Sequence, residues 1–365
     1  MTSVNNMNTK IPKNILITGG AGFVGSNLAI KLKEKYPELK IFVFDNLKRR
    51  GSELNLPRLK NAKINFIHGD IRNKEDFEEV GEIDLIIECS AEPSVLAGLN
   101  TSPSYLLNTN LLGTINCLEL ARKNNAAFIF ISTSRVYPIK SINNLVFKEE
   151  ETRFTLIDNQ KSIGASKEGV AENFSLEGAR SLYGATKLCS EIIIQEYMNS
   201  FGLTAIINRC SIITGPWQMG KVDQGVFVLW VAKHIFGGKL SYIGYGGSGK
   251  QVRDFIHIDD FFDIIDIQIN NLNKYKWGVY NIGGGVKNSI SLKELTQICE
   301  KITGNSIKVD SIKDSHPADL ISFISDCNKI KKISGWAPKK NAEETVCDIA
   351  KWINQNKEQL KDILA

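Results

Sequence analysis

The chain has 365 residues, 42% of them hydrophobic, and its net charge of +5 is the balance of 45 basic and 40 acidic side chains. That length suits one large α/β unit with a smaller appended lobe, and charge scattered along the chain excludes the basic stripe of a nucleic-acid binder. Seven separated cysteines without a Cys-x-x-Cys pair exclude a disulfide framework or zinc site, and no run reaches the roughly 18 apolar residues of a membrane span.

The polar first fourteen residues carry no apolar signal core, so the expectation is a cytoplasmic protein with reduced thiols and no membrane partner. Residues 14–18 then form a short apolar run ending in Gly19-Gly20, and an amphipathic stretch follows over 23–36: strand, tight turn, helix. Glycines at 19, 20, 22 and 25 let the backbone approach a pyrophosphate, and the helix start offers unpaired N–H groups. Gly19, Gly22, Phe23, Val24 and Gly25 are therefore predicted to cradle a dinucleotide.

Asp45, twenty residues beyond Gly25, closes the next β-like run at 41–44. A carboxylate there accepts hydrogen bonds from the adenosine ribose and repels the extra phosphate of NADP, which favours NAD. The basic run Lys48-Arg49-Arg50 reads either as a solvated loop or as a site for that extra phosphate. Further β-like runs at 64–67, 84–88, 128–131 and 204–208 alternate with helical segments such as 106–123. The alternation predicts a Rossmann-type doubly wound parallel sheet. Asp70, just after the third run, reads either as a contact to the adenine edge or as a helix N-cap.

Ser132-Thr133-Ser134, at the end of a predicted strand, supplies hydroxyls for a substrate oxygen. Alternation then stops, and the polar stretch 138–180 reads as a long loop inserted over the active site, either a lid or a surface insertion. The helix after it carries Tyr183-Gly184-Ala185-Thr186-Lys187. A Tyr and a Lys four apart share one helix face, so the ammonium can lower a phenol pKa that is ordinarily about 10. Beyond Gly215-Pro216, isolated elements at 225–236, 239–243, 280–282 and 292–302 suggest a second lobe. Residues 1–215 are read as the cofactor-binding part. Residues 216–365 are read mainly as the substrate-binding lobe, with some segments returning to the first part.

The run TGGAGFVGS over 18–26, Ser132-Thr133, Tyr183-x-x-x-Lys187 and Arg253-Asp254-Phe255-Ile256-His257-Ile258-Asp259-Asp260 together resemble the extended short-chain dehydrogenase/reductase family along nearly the whole chain. Within it, Asp223-Gln224-Gly225, the run 249–254 and Phe44-Asp45-Asn46-Leu47 are similar to the CDP-tyvelose (CDP-paratose) 2-epimerases. The resemblance implies a catalytic triad of Thr133, Tyr183 and Lys187. It also implies further NAD contacts from Asn46, Asp70, Ile71, Ala91, Asn110, Tyr183 and Lys187, and no metal. Asn110 either supports the triad from the neighbouring helix or serves structure alone. Arg253 is implied to clamp the pyrophosphate of a nucleotide sugar, with an ion pair to Asp254 as the alternative, and Ser134, Arg135 and Gln224 to face the substrate. A homodimer or higher homo-oligomer through helices 106–123 and 182–201 is implied as well, as is a place in bacterial surface polysaccharide (O-antigen) synthesis.

Departures from the family pattern bear on the reaction. The family's dehydratases carry an Asp-Glu pair where this chain has Ser134-Arg135, and an arginine cannot accept a proton as a carboxylate does. Dehydration and decarboxylation are thereby demoted. The expectation is an NAD-dependent epimerase of a nucleotide-activated sugar, CDP-linked sugars among the candidates. A 4-epimerase, a net keto-sugar reductase and a cofactor-sensing scaffold are the alternatives. Val136-Tyr137-Pro138 and Cys89-Ser90-Ala91-Glu92-Pro93-Ser94 also depart from the family, at places expected to adjoin the sugar, and Leu320 and Ile321 near Asp319 point to an altered nucleotide grip.

Overall fold

Short apolar runs buried on both faces build a parallel sheet of seven strands: β1 Asn14–Thr18, β2 Lys40–Asp45, β3 Asn65–His68, β4 Leu85–Glu88, β5 Ala127–Thr133, β6 Ala205–Cys210 and β7 Gly278–Ile282. The computed structural model describes residues 11–221 and 224–365; residues 1–10, and Asp223 of the motif above, lie outside the described residues. The spatial order is β7-β6-β5-β4-β1-β2-β3. The order reverses between β1 and β4, and that switch point is where an open α/β sheet forms its ligand crevice. The doubly wound fold expected from the alternation is the one observed.

Helices cover both faces. Alternate side chains of the strands sort into two cores, one with Ile15, Ile17, Val43 and Ile87, the other with Leu16, Phe44, Ile86, Phe128 and Phe130. Three helices position the site: α1 Phe23–Lys35, α2 Gly113–Asn124 and α3 Leu182–Phe201. Ser181 caps α3, its Oγ accepting from the Gly184 N–H at 3.2 Å, and Gly202 ends it in the left-handed conformation at φ 68°. The helix expected over 106–123 is not continuous. A turn at Ser104–Leu107 leads into a π-helical turn, Asn108–Leu112, before α2 begins. A π turn re-aims side chains, and this one contains Asn110.

The run at 280–282, grouped by sequence with the second lobe, is β7 and closes the edge of the large sheet beside β6. A smaller sheet is centred on Val252–His257, which pairs with Ile212–Thr214, Ser289–Ser291 and Ser322–Phe323. Helices Val226–Phe236, Leu292–Thr303 and Ala342–Gln355 pack beside it around Phe227, Trp230, Leu295 and Trp352.

Residues 138–180 are not the irregular loop that their polarity suggests. They hold a helical turn at Ile139–Asn143 and two antiparallel ribbons, Phe147–Glu149 with Phe154–Leu156 and Ala165–Ser166 with Gly169–Val170. Ile142, Leu156, Val170 and Phe174 bury themselves with Val252, Leu320 and Phe323 in a separate apolar cluster. Arg153 pairs with Glu294 at 2.7 Å and donates to the Ser289 carbonyl, and the Val170 N–H donates to the Ile324 carbonyl at 2.8 Å. Strands of two and three residues are too short to leave a readable period.

Candidate active site

The glycine turn is shaped by close backbone approach. A Cβ on Gly20 would stand 2.3 Å from Val43 Cβ, and one on Gly25 would stand 2.4 Å from the Gly19 carbonyl oxygen. Gly19, at φ +63°, lies against the Cys89-Ser90 backbone, which brings the loop bearing Ala91 beside the turn. Gly22 precedes α1 with no side-chain cap and no acidic residue in the first turn, so no side chain of that turn competes for the N–H groups starting at Phe23 and Val24. A cradle that only glycine fits, at an uncapped helix start, suits a pyrophosphate.

Asp45 ends β2 next to this turn. Its two oxygens accept from the Ala21 N–H at 3.1 Å and the Leu47 N–H at 2.8 Å, and burial raises its pKa against those bonds. A carboxylate has lone pairs to spare beyond these two bonds. The neighbouring cations are engaged elsewhere. Lys48 Nζ sits 4.3 Å over the Tyr105 ring, Arg49 donates to the Met219 carbonyl and to Gln224, and Arg50 donates to the Asp362 carbonyl. Asn46 donates to Asp70 at 2.9 Å, and Arg72 pairs with Asp70 at 2.6 Å. Burial pushes Asp70 up, but Arg72 and Asn46 outweigh it and draw the carboxyl down to about 2. Asp70 is not a helix N-cap; Asn73 occupies that position before the turn Lys74–Phe77. Ile71 packs on Gly113, where an added Cβ would stand 2.4 Å from its Cδ1.

Thr133 ends β5, and its hydroxyl accepts from the Arg135 N–H at 3.2 Å and lies beside the Tyr183 phenol, whose ionised form it favours. Gly184 lets α3 begin against this turn, since a Cβ there would stand 2.1 Å from the Arg135 carbonyl oxygen. Asn110, fully buried, accepts from the Glu92 N–H at 2.8 Å and donates to the Glu92 carbonyl and to Thr186 Oγ1 at 3.2 Å. Its amide thus ties the loop after β4 to the tyrosine helix. Ser132 does not join the substrate hydroxyls. Strand alternation turns it to the other face, where it donates to Glu191 at 2.5 Å, and Glu191 is ion-paired with Arg209 at 2.8 Å.

Lys187 departs from its expected part as the tyrosine's direct partner. It is 2% exposed, and its Nζ lies 3.8 Å from the centre of the Phe130 ring. Burial lowers its pKa, opposed first by the charge of Glu88. Burial pushes Tyr183 up to about 12, opposed by the neighbouring Thr133 hydroxyl and by the nearby Arg135 guanidinium, which keeps the phenol protonated at neutral pH. Spacing along the helix carries no signal of the strong desolvation at the end of the sheet.

Arg135 and Arg253 converge from opposite sides on the segment 318–320. Arg135 donates to the Ala318 carbonyl at 3.1 Å and Arg253 to the Leu320 carbonyl at 2.8 Å. Burial and the repulsion of Arg135 bring Arg253 down to about 9. The alternative of an Arg253–Asp254 pair is not what is observed: Asp254 accepts instead from the N–H groups of Gly284 and Gly285. Neither guanidinium is ion-paired to a carboxylate among the described residues, and the charge of Asp319 bears on both. Ser134 opens the short turn Ser134–Val136 that carries Arg135, whereas Gln224 bonds to Arg49 and not to this pair. Tyr137 is core: it stacks on Phe323 and donates to Asn281, and so does not adjoin the sugar as its place in the sequence suggested. Sequence reading also missed Glu88, which ends β4 inside an otherwise apolar run and is fully buried. A charged residue in a parallel strand was the available signal.

A parallel sheet with a dinucleotide cradle at its switch point, and Tyr183 beside Thr133 at the strand ends, is the arrangement of a dinucleotide-dependent enzyme. Known proteins agree. A sequence profile of the NAD dependent epimerase/dehydratase family matches residues 15–283, and the chain belongs to that family. It is an NAD-dependent enzyme. It is 32% identical over 347 residues to a CDP-paratose 2-epimerase of Salmonella typhi, covering 93% of this chain and 98% of the relative. It is 28% identical to a UDP-glucuronate 4-epimerase of Thermodesulfobacterium geofontis, covering 95% and 98%. Among solved structures, a dTDP-glucose 4,6-dehydratase of Bacillus anthracis in complex with NAD superposes with TM-score 0.73 at 26% identity, covering 96% and 99%. A UDP-glucose 4-epimerase of Thermotoga maritima shares the fold, with TM-score 0.77 at 24% identity over 94% and 99%. No helix among the described residues is long and apolar enough to cross a membrane.

Proposed function

We propose that the chain epimerises a nucleotide-activated sugar, removing hydrogen from one carbinol carbon and returning it to the opposite face. The observation that carries the reading is Thr133 standing beside the Tyr183 phenol with Arg135, in place of a carboxylate, following in the next turn. Tyr183 and Thr133 would share one substrate hydroxyl: Thr133 would hold the oxygen, and Tyr183 would take its proton and later give it back. When bound, NAD supplies a positive ring that accepts the hydride and returns it. Gly19, Gly22, Phe23, Val24, Gly25 and Asp45 would hold it, with Asn46, Asp70, Ile71, Ala91 and Asn110 shaping the adjoining loops and Lys187 beneath. Arg135 and Arg253 would bind the diphosphate, a dianion that relieves their mutual repulsion.

Elimination of water needs a further acid and base beside the tyrosine. Glu92, a carboxylate whose charge reaches Tyr183, accepts from the Ser94 N–H at 3.2 Å. A CDP-linked sugar reacting at C2 is the first candidate because of the likeness to the CDP-paratose 2-epimerase, and C4 is the second because of the UDP-glucuronate 4-epimerase. Purified protein incubated with a panel of nucleotide sugars and followed by NMR should invert one stereocentre with no net change in NADH. Stoichiometric consumption of NADH would replace the epimerase by a reductase. Loss of water from the sugar would restore the dehydratase.

A further inference from the structure

We infer that Glu88 is a positioning residue for Lys187, a buried counter-charge beneath the cofactor cleft that keeps the lysine protonated. The inference rests on the assignment of Lys187 to the reaction. Parallel register places Thr18 of β1, Glu88 of β4 and Phe130 of β5 side by side, so their side chains emerge on one face of the sheet. Lys187 Nζ sits over the Phe130 ring on that face. Thr114 of α2 donates to Glu88 Oε1 at 2.7 Å, and Ser190, one turn after Lys187 on α3, lies 3.4 Å from Thr114 Oγ1. The lysine and the carboxylate thus share a closed compartment between the sheet and two helices.

Among the described residues, that compartment holds no other compensating anion. Glu88 Oε2 is buried without a hydrogen-bond partner among the described residues, and so is Thr18 Oγ1 beside it. A buried carboxylate with one oxygen unsatisfied is costly, and an apolar or amide side chain would avoid the cost. The acidic groups facing Lys187 are Glu88, Cys89, Glu191 and Cys210, and Cys117 on α2 faces both Glu88 and Lys187. Burial holds the three thiols well above their ordinary range, which leaves them neutral. Glu191 is neutralised by Arg209 and also accepts from Ser132. Glu88 alone remains to offset the ammonium. Burial brings its own carboxyl up to about 7, opposed by the charge of Lys187 and by the Thr114 hydrogen bond.

The test compares wild type, Glu88→Gln, Glu88→Asp and Thr114→Val in two pH series, one of NAD affinity by calorimetry and one of turnover. Glu88→Gln removes the charge at nearly constant shape. The alkaline fall of both profiles, where the lysine loses its proton, should then move down by about one pH unit, a tenfold change in proton affinity. Glu88→Asp should return the fall toward the wild-type position. Thr114→Val removes the hydrogen bond that favours the ionised carboxyl and should shift the fall the same way by less, which keeps the inference testable if Glu88→Gln does not fold. Lower thermal stability with an unmoved alkaline fall in Glu88→Gln or Thr114→Val would reduce Glu88 to a structural role and overturn the inference. If the wild type turns over none of the sugars, the proposed function falls, and the affinity series still decides Glu88.

Discussion

In the proposed reaction Tyr183 moves the proton while Thr133 holds the oxygen, and the two residues come from segments fifty positions apart. Replacing the tyrosine by phenylalanine removes one oxygen and little volume. Tyr183→Phe should therefore lower turnover by about 10²- to 10⁴-fold, the usual worth of a positioned acid–base group, while leaving NAD affinity within a factor of a few. Calorimetry with NAD beside the NMR assay reads both quantities. Retained turnover would move the proton transfer to another group, with Glu92 the nearest carboxylate named above. Tyr183 and Lys187 could be picked out from spacing alone. Their ionisation could not, because it follows from burial at the end of β5 and from Arg135 and Glu88, which no local pattern places beside them.

At the scale of elements, the turn between β1 and α1 is held by contacts that only glycine permits. Gly25→Ala would drive a methyl group into the Gly19 carbonyl, and overpacking of that kind costs about 1–3 kcal/mol. The expected outcome is a lower thermal midpoint and weakened NAD binding; unchanged binding would mean that the turn does not set the cradle. The loop after β3 makes a different prediction. Asp70 lies at about 2 in the fold against 3.8 when unperturbed, so the folded state binds its proton more weakly than the unfolded chain. Its contribution to stability is complete above the unfolded pKa and is lost as pH falls from about 4 toward 2. Unfolding curves across that window should show a smaller loss in Arg72→Ala than in wild type, because the variant has already lost the bond. The glycine turn, the strands and α3 were readable from period and spacing. The π turn around Asn110 and the ribbons of 138–180 were not, since both depend on partners distant in sequence, such as Thr186, Glu294 and Ile324.

Over the whole molecule, α3 packs beside the Asn108–Leu112 turn and α2, and their outer faces expose Leu107, Leu112, Ile192 and Phe201 at 40%, 42%, 53% and 58%. Exposed apolar side chains on adjacent helices offer a surface for association, and a second copy of this chain would be its symmetric occupant. Ile192→Glu should convert a dimer to a monomer in sedimentation velocity while leaving the secondary structure intact. A wild-type monomer at micromolar concentration would remove this interface. The two facing arginines are likewise a product of the whole fold: Arg135 comes from the large sheet, Arg253 from the small one, and the segment 318–320 fixes both.

The sequence by itself determined the sheet, the dinucleotide turn, the preference for NAD and the Tyr-Lys helix, because each is written in local spacing: apolar runs of strand length, glycines at close approach, a carboxylate one strand on, and two residues one turn apart. Only the tertiary structure decided that Ser132 and Tyr137 belong to buried networks, that Arg135 and Arg253 face one another, and that Lys187 lies over Phe130 next to Glu88. Those outcomes depend on which face a strand presents and which distant element covers it, and electrostatics in a desolvated interior follows that three-dimensional neighbourhood and not the order of residues along the chain.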